Sequence, residues 1–181
     1  MKSIYLWIAP LYLLVGGLLL FPYVQKEFVN RNLTAVANIE SSSLFIKGIP
    51  YRITIPRLQI DLSIENGNYL EESWTTAKEK ALFATKSFLP NNLEGNTIIY
   101  GHNTNDVFRP TDRLIKGDRV LLYTDNGIFE YEFTNSELVK PTDTSIFNYQ
   151  GSPRLTLITC SGLTNDKRRL MYFEFYGVTK K

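Results

Sequence analysis

From Ile49 onward the chain is cut into short β-forming runs separated by turn residues, and one pair of runs sets the pattern. Arg119 to Thr124 and Ile128 to Phe133 flank Asp125-Asn126-Gly127, a strong hairpin signal because Asn-Gly accommodates the positive φ angles of a tight turn. In the second arm Phe129, Tyr131 and Phe133 point one way and Glu130 and Glu132 the other, the alternation of a half-buried antiparallel strand. Tyr51 to Ile55 and Gln59 to Ile64 read as strands on either side of Pro56, followed by an Asn66-Gly67 turn. Glu71 to Lys80 offers the best short helix. Thr97 to Tyr100 is a strand running into Gly101-His102-Asn103, Lys116-Gly117-Asp118 is a turn, and Leu155 to Cys160 and Leu170 to Phe175 are two further strands. Many short strands at this spacing, with little helix, predict an all-β fold, a closed or nearly closed β-barrel.

Ahead of this domain, Ile4 through Val24 carries no charged side chain. A helix of about 20 residues rises roughly 30 Å, the thickness of a bilayer's hydrocarbon core. Tyr5, Trp7 and Tyr23 stand near its ends, where amphipathic rings prefer the interface. A cleaved signal peptide has an apolar region of only ~7 to 15 residues with a small-x-small site close behind it, and Ala35-Val36-Ala37 is too far downstream. The expectation is an uncleaved N-terminal transmembrane helix, residues 1–25. Residues 26–48, polar and containing Ser41-Ser42-Ser43, read as a stalk whose start, Lys26 to Ala37, is open to a short helical continuation. Residues 49–181 form the folded domain.

The charge balance is even, with Lys+Arg 20 against Asp+Glu 18, and gives no electrostatic reason to expect nucleic acid. A single cysteine, Cys160, rules out an internal disulfide, and with a single histidine, His102, it is too little for a zinc site built from soft ligands. Lone cysteines are usually small buried hydrophobes. Cys160 becomes chemically interesting only if something makes it a thiolate. The candidates are His102 and the pair Arg168-Arg169 just downstream.

Taken together, Gly95-Asn96-Thr97-Ile98-Ile99-Tyr100-Gly101-His102, then Val107-Phe108, Leu114 to Asp118, Thr156-Leu157-Ile158-Thr159-Cys160 and Arg169-Leu170 resemble the sortase family of cysteine transpeptidases over roughly residues 50 to 178. The resemblance implies a sortase-like barrel of about eight strands with one or two short helices, on the outer face of a bacterial cell membrane and held there by a single N-terminal span. It implies Cys160 as nucleophile, His102 as general acid and base, and Arg169 as the group that binds substrate and stabilises the oxyanion, with Thr159 and Asn103 in substrate binding. It also implies the partners: secreted proteins bearing a Leu-Pro-x-Thr-Gly-like sorting signal, cleaved between Thr and Gly, and an amine acceptor such as a cell-wall precursor or a lysine. Each role has an independent rationale, since covalent catalysis needs an activated thiol with a base in reach and a guanidinium stabilises developing negative charge.

Neighbouring strand residues face opposite sides, so only one of Arg168 and Arg169 can point at the thiol. The Arg-Leu-Met-Tyr run favours Arg169. Cys160 and Arg169 stand nine positions apart, a short loop that leaves a reduced wall over the leaving-group side. Residues 38 to 50 hold no Asp-Pro-aromatic lid, and no second hydrophobic span follows Tyr176. The resemblance therefore points to a housekeeping-type or smaller-class enzyme rather than a pilin-polymerising one. No cofactor is expected. Glu65, Glu71 and Glu72 are the acids that would answer to the calcium-binding loop of some relatives, though scattered acids are usually just solvated. Two rival functions share these residues: a cysteine endopeptidase that releases its product to water, and a barrel that binds peptide without chemistry.

Overall fold

Eight strands close into a barrel. The computed structural model describes residues 44–181 apart from 71, 72, 75 and 163; the expected membrane span, most of the stalk, Glu71 and Glu72 lie outside the described residues. The strands are β1 (Pro50–Ile55), β2 (Ile60–Gly67), β3 (Tyr69–Leu70), β4 (Ser73–Trp74), β5 (Ala81–Ala84), β6 (Asn96–Gly101), β7 (Arg119–Thr124), β8 (Gly127–Val139), β9 (Arg154–Ser161) and β10 (Lys167–Lys180). Around the barrel they run β1-β2-β5-β6-β9-β10-β8-β7, while β3 and β4 pair separately. β2 with β5 and β6 with β9 are parallel; the other barrel pairs are antiparallel. Among the described residues the only helical elements are three 3-10 turns, Pro56–Leu58, Arg109–Arg113 and Ser145–Asn148, and no helix there is long and apolar enough to cross a membrane.

The expected hairpin is present, with Leu122 opposite Phe129 and Tyr123 opposite Ile128. Phe129, Tyr131 and Phe133 enter the core, where they meet Ile53, Ile55, Leu122, Leu155, Leu157, Met171 and Phe173. At about 1.5 to 3 kcal/mol for each fully buried large apolar side chain, this interior is the main source of stability. β9 is buried on both faces from Leu155 through Thr159. Leu155 and Leu157 point into the barrel, while Ile158 joins a second cluster with Leu82, Ile98, Tyr100, Leu170 and Ile146. Ile146 is held there by Asn96, whose Nδ2 donates to the Ile146 carbonyl at 3.1 Å while its Oδ1 accepts from Thr156 Oγ1 at 2.8 Å.

Two local expectations are corrected. Asn66-Gly67 is not a turn; both residues lie inside β2, paired with Phe83 and Ala84 of β5. The glycine is required by close approach, since a Cβ there would stand 2.1 Å from the Tyr100 hydroxyl oxygen. The described residues of Glu71 to Lys80 form no helix either; they contribute β4, which pairs with β3, and a bend over 78–80. At the amino-terminal edge, Gly48 N–H donates to the Pro90 carbonyl at 3.1 Å and Asn92 N–H to the Ile46 carbonyl at 3.2 Å. The last residues of the expected stalk are thus already bonded to the barrel.

One buried charge organises the lower loops. Asp118, at the end of the expected turn, accepts from Arg57 of the first 3-10 turn and from the Ile115 N–H at 2.9 Å. Arg57 also donates to the Arg113 carbonyl. The Arg57 guanidinium, helped by the Ile115 N–H, holds the Asp118 carboxyl below the ordinary carboxylate range against the opposing effect of burial.

Candidate active site

Parallel pairing of β6 with β9 sets Gly101 opposite Thr159, so that His102 and Cys160, each the next residue along its strand, emerge side by side at the same end of the barrel. Both are half-buried, and the thiol is free. The chain after β6 folds back beneath this end. Phe108 N–H donates to the His102 carbonyl at 3.1 Å, and Val107 and Phe108 are fully buried. Only glycine fits at 101, where a Cβ would meet Val107 Cγ1 at 2.8 Å and Phe108 Cε2 at 3.0 Å. Sequence order alone puts the imidazole and the thiol 58 positions apart; the parallel pair removes that separation.

Thr159 is buried, and its Oγ1 donates to the Gly101 carbonyl at 3.0 Å, which makes it a tie between the Cys160 and His102 strands, on the same face of β9 as Leu157. Asn103 is half-buried beside His102. Its main-chain carbonyl accepts from Arg109 Nη2 at 3.1 Å, and its Oδ1 is buried without a hydrogen-bond partner among the described residues.

β9 and β10 are joined by a tight loop in which Gly162 and Asn165 take positive φ, 90° and 59°. The register that follows sets Ser161 opposite Lys167, Cys160 opposite Arg168 and Thr159 opposite Arg169. Directly opposed residues share a face. On this register the facing argument therefore puts Arg168, rather than Arg169, on the thiol's side of the sheet. Arg168 Nη1 donates to the Asn165 and Lys167 carbonyls at 3.0 Å, so the guanidinium lies over its own loop. Arg169 Nη1 instead donates to the Asp112 carboxylate in the 3-10 turn after His102, an ion pair spanning 57 residues. Asp112 escaped the sequence reading, since one acid in a polar loop carries no signal until the fold brings it to β10.

Among the described residues no group of three His, Cys, Asp or Glu side chains is placed to hold a metal ion. Glu65 is ion-paired with Lys80. What the site does bring together is a half-exposed thiol, an imidazole on the adjacent strand, and two guanidiniums at the start of the next: a nucleophile, an acid-base group and fixed positive charge, the parts that acyl transfer needs.

Comparison with known proteins agrees. Residues 53–173 match the family model described as Sortase domain. The chain is 26% identical over 167 residues to a sortase A of Bacillus anthracis, covering 87% of this chain and 75% of that protein. It is 30% identical over 158 residues to a sortase A of Listeria monocytogenes, covering 83% and 64%. The fold superimposes on a crystal structure of Listeria monocytogenes sortase A with a TM-score of 0.62 at 22% identity, covering 74% of this chain and 91% of that one. With the family match spanning most of the chain and the barrel shared, the protein belongs to the sortase family of cysteine transpeptidases.

Proposed function

We propose that this protein cleaves a Leu-Pro-x-Thr-Gly-like sorting signal between Thr and Gly and joins the new carboxyl end to an amine, attaching secreted proteins to the cell wall from a single-pass membrane anchor at residues 1–25. The observation that carries this reading is the emergence of His102 and Cys160 from adjacent parallel strands. Cys160 Sγ, as thiolate, attacks the threonine carbonyl carbon. The tetrahedral oxyanion collapses with loss of the glycine amine, which takes its proton from the His102 imidazolium, and a thioester remains. An incoming amine, such as that of a cell-wall precursor or a lysine, gives a proton to His102, attacks the thioester and expels the thiolate. Side chains alone carry these steps, and no cofactor takes part.

The position matching the family motif gives the oxyanion-stabilising role to Arg169. The cross-strand pairing of Arg168 with Cys160 favours a second assignment, with Arg168 as donor and Arg169 as a strut. Alanine at the donor is expected to cost about 10²- to 10³-fold in kcat, whereas alanine at the other position is not.

Mass spectrometry tests the reaction. Full-length protein in detergent, given a peptide carrying Leu-Pro-x-Thr-Gly, is expected to gain a thioacyl adduct that Cys160→Ala lacks, and added triglycine is expected to convert it to an amide-linked product. Equal cleavage by Cys160→Ala would refute the covalent route, and release of acid alone in the presence of amine would leave an endopeptidase.

A further inference from the structure

The ion pair between Arg169 and Asp112 is one side of a closed ring of contacts. Starting at the thiol's strand, Thr159 Oγ1 holds the Gly101 carbonyl at 3.0 Å, one residue before His102. Across the ladder Thr159 is paired with Arg169. Arg169 reaches Asp112. Asp112 sits in the turn Arg109–Arg113, which is bonded back on itself by Thr111 N–H to the Phe108 carbonyl at 3.0 Å, and Phe108 N–H returns to the His102 carbonyl at 3.1 Å. His102 is therefore gripped from two directions: through Gly101 by the strand that bears Cys160, and through Phe108 by a turn that is ion-paired to the catalytic hairpin by Asp112 to Arg169.

The links of this ring differ in strength. Thr159 and Phe108 are buried, whereas the Asp112 and Arg169 side chains are 50% and 28% exposed. A pair this open contributes little to folding. Its energetic effect is therefore felt as geometry: without it the turn carrying Asp112 keeps its own hydrogen bonds but loses its tether to β10, and a misplacement of about 1 Å between reacting groups is enough to slow catalysis strongly.

We propose that Asp112 is a positioning residue of the active site, acting through Arg169 to fix the His102 loop against the Cys160 hairpin. The proposal rests on Cys160 and His102 acting together, as in the preceding section, but not on which arginine stabilises the oxyanion.

The test uses full-length protein in detergent and five variants: Asp112→Ala, Asp112→Asn, Asp112→Glu, Arg169→Ala, and Asp112→Ala combined with Arg169→Ala. Two readouts are taken, kcat and KM on a Leu-Pro-x-Thr-Gly peptide, and the pH profile of Cys160 alkylation by iodoacetamide, which needs no substrate. Asp112→Ala and Asp112→Asn are expected to lose about tenfold or more in kcat, with KM within about threefold and the melting temperature nearly unchanged. Their alkylation profiles are expected to depart from that of the wild type, because the His102 loop is no longer fixed beside the thiol. Asp112→Glu is expected to recover most of the loss. On the Arg169→Ala background, Asp112→Ala is expected to add nothing, because its route is already cut. Asp112→Ala within twofold of wild type in kcat with an unchanged alkylation profile, or independent multiplying losses in the double variant, would overturn the proposal. Should the wild type cleave no such peptide, the functional reading fails, and the alkylation profiles alone still decide whether Asp112 governs the thiol through Arg169.

Discussion

Thr159→Val separates a structural tie from a substrate contact. Valine matches the shape of threonine but not its hydroxyl, so the barrel keeps its packing and loses the bond from Thr159 Oγ1 to the Gly101 carbonyl. The site is 2% exposed, so water does not readily replace the donor, and the loss is about 1 to 3 kcal/mol when a buried acceptor is left short. Taking about 1.5 kcal/mol, and an unfolding entropy near 0.3 kcal/mol/K for a domain of about 140 residues, the melting temperature should fall by about 5 °C. Because Gly101 precedes His102, kcat should fall as well, while KM for the sorting peptide stays close to wild type. Thermal unfolding by circular dichroism and steady-state peptide cleavage measure the two effects. An unchanged melting temperature with a several-fold rise in KM would show that the hydroxyl meets substrate after all, and would refute the tie.

Gly67→Ala is expected to destabilise by about 1 to 3 kcal/mol, because the added methyl would stand 2.1 Å from the Tyr100 hydroxyl oxygen; an unchanged urea midpoint would mean that Tyr100 swings aside freely. Asp118→Asn is expected to lower stability at neutral pH by about 1 to 3 kcal/mol through weakened bonds to Arg57 and Ile115. Since the folded-state pKa of Asp118 is depressed, its contribution is present above the ordinary carboxylate value near ~4 and is lost as pH falls below it. The gap between wild type and Asp118→Asn should therefore narrow in denaturation curves taken below about pH 4. Glu65 is held by Lys80, so peptide cleavage is expected to be the same in EGTA and in millimolar calcium; a several-fold dependence would require the acids of this region to rearrange around an ion.

The parts of the fold that were legible are those where one physical signal dominates. Asp125-Asn126-Gly127 between alternating runs predicts its hairpin because turn chemistry and period agree. Gly67 misleads because glycine after asparagine has two uses, a turn and a close approach, and only the passage of Tyr100 from β6 decides between them. β8 and β10 run on through 139 and 180, further than the pattern suggests, since residues 135–138 are exposed, Leu138 included, and are held by backbone pairing with Arg169 to Tyr172 of β10 rather than by burying their own side chains. β10 also bears register shifts after Tyr172 and Phe175, which break the alternation a sequence reading depends on.

The site divides along the same line. Cys160 and His102 are legible from residue type and flanking motif, because both are unique in the chain and stand at strand ends, Cys160 one residue before the end of β9 and His102 just after β6. The assignment of Arg168 and Arg169 was not fixed by the same information, and the reason is parity. Which of two adjacent residues shares the thiol's face depends on whether the loop joining β9 to β10 brings an even or an odd residue opposite Cys160, and a change of one residue in that loop exchanges the faces of everything after it. Here the glycine and asparagine at 162 and 165 close the loop with positive φ, and the pairing that results puts Arg168 across from Cys160 while Arg169 reaches Asp112. Lengthening the loop by one residue between Asn165 and Asp166 would either shift the pairing by one, bringing Arg168 opposite Thr159 and Arg169 opposite Ile158, or force a bulge. Either way the Asp112 contact would be strained, so that insertion is expected to cost activity well beyond its effect on the melting temperature.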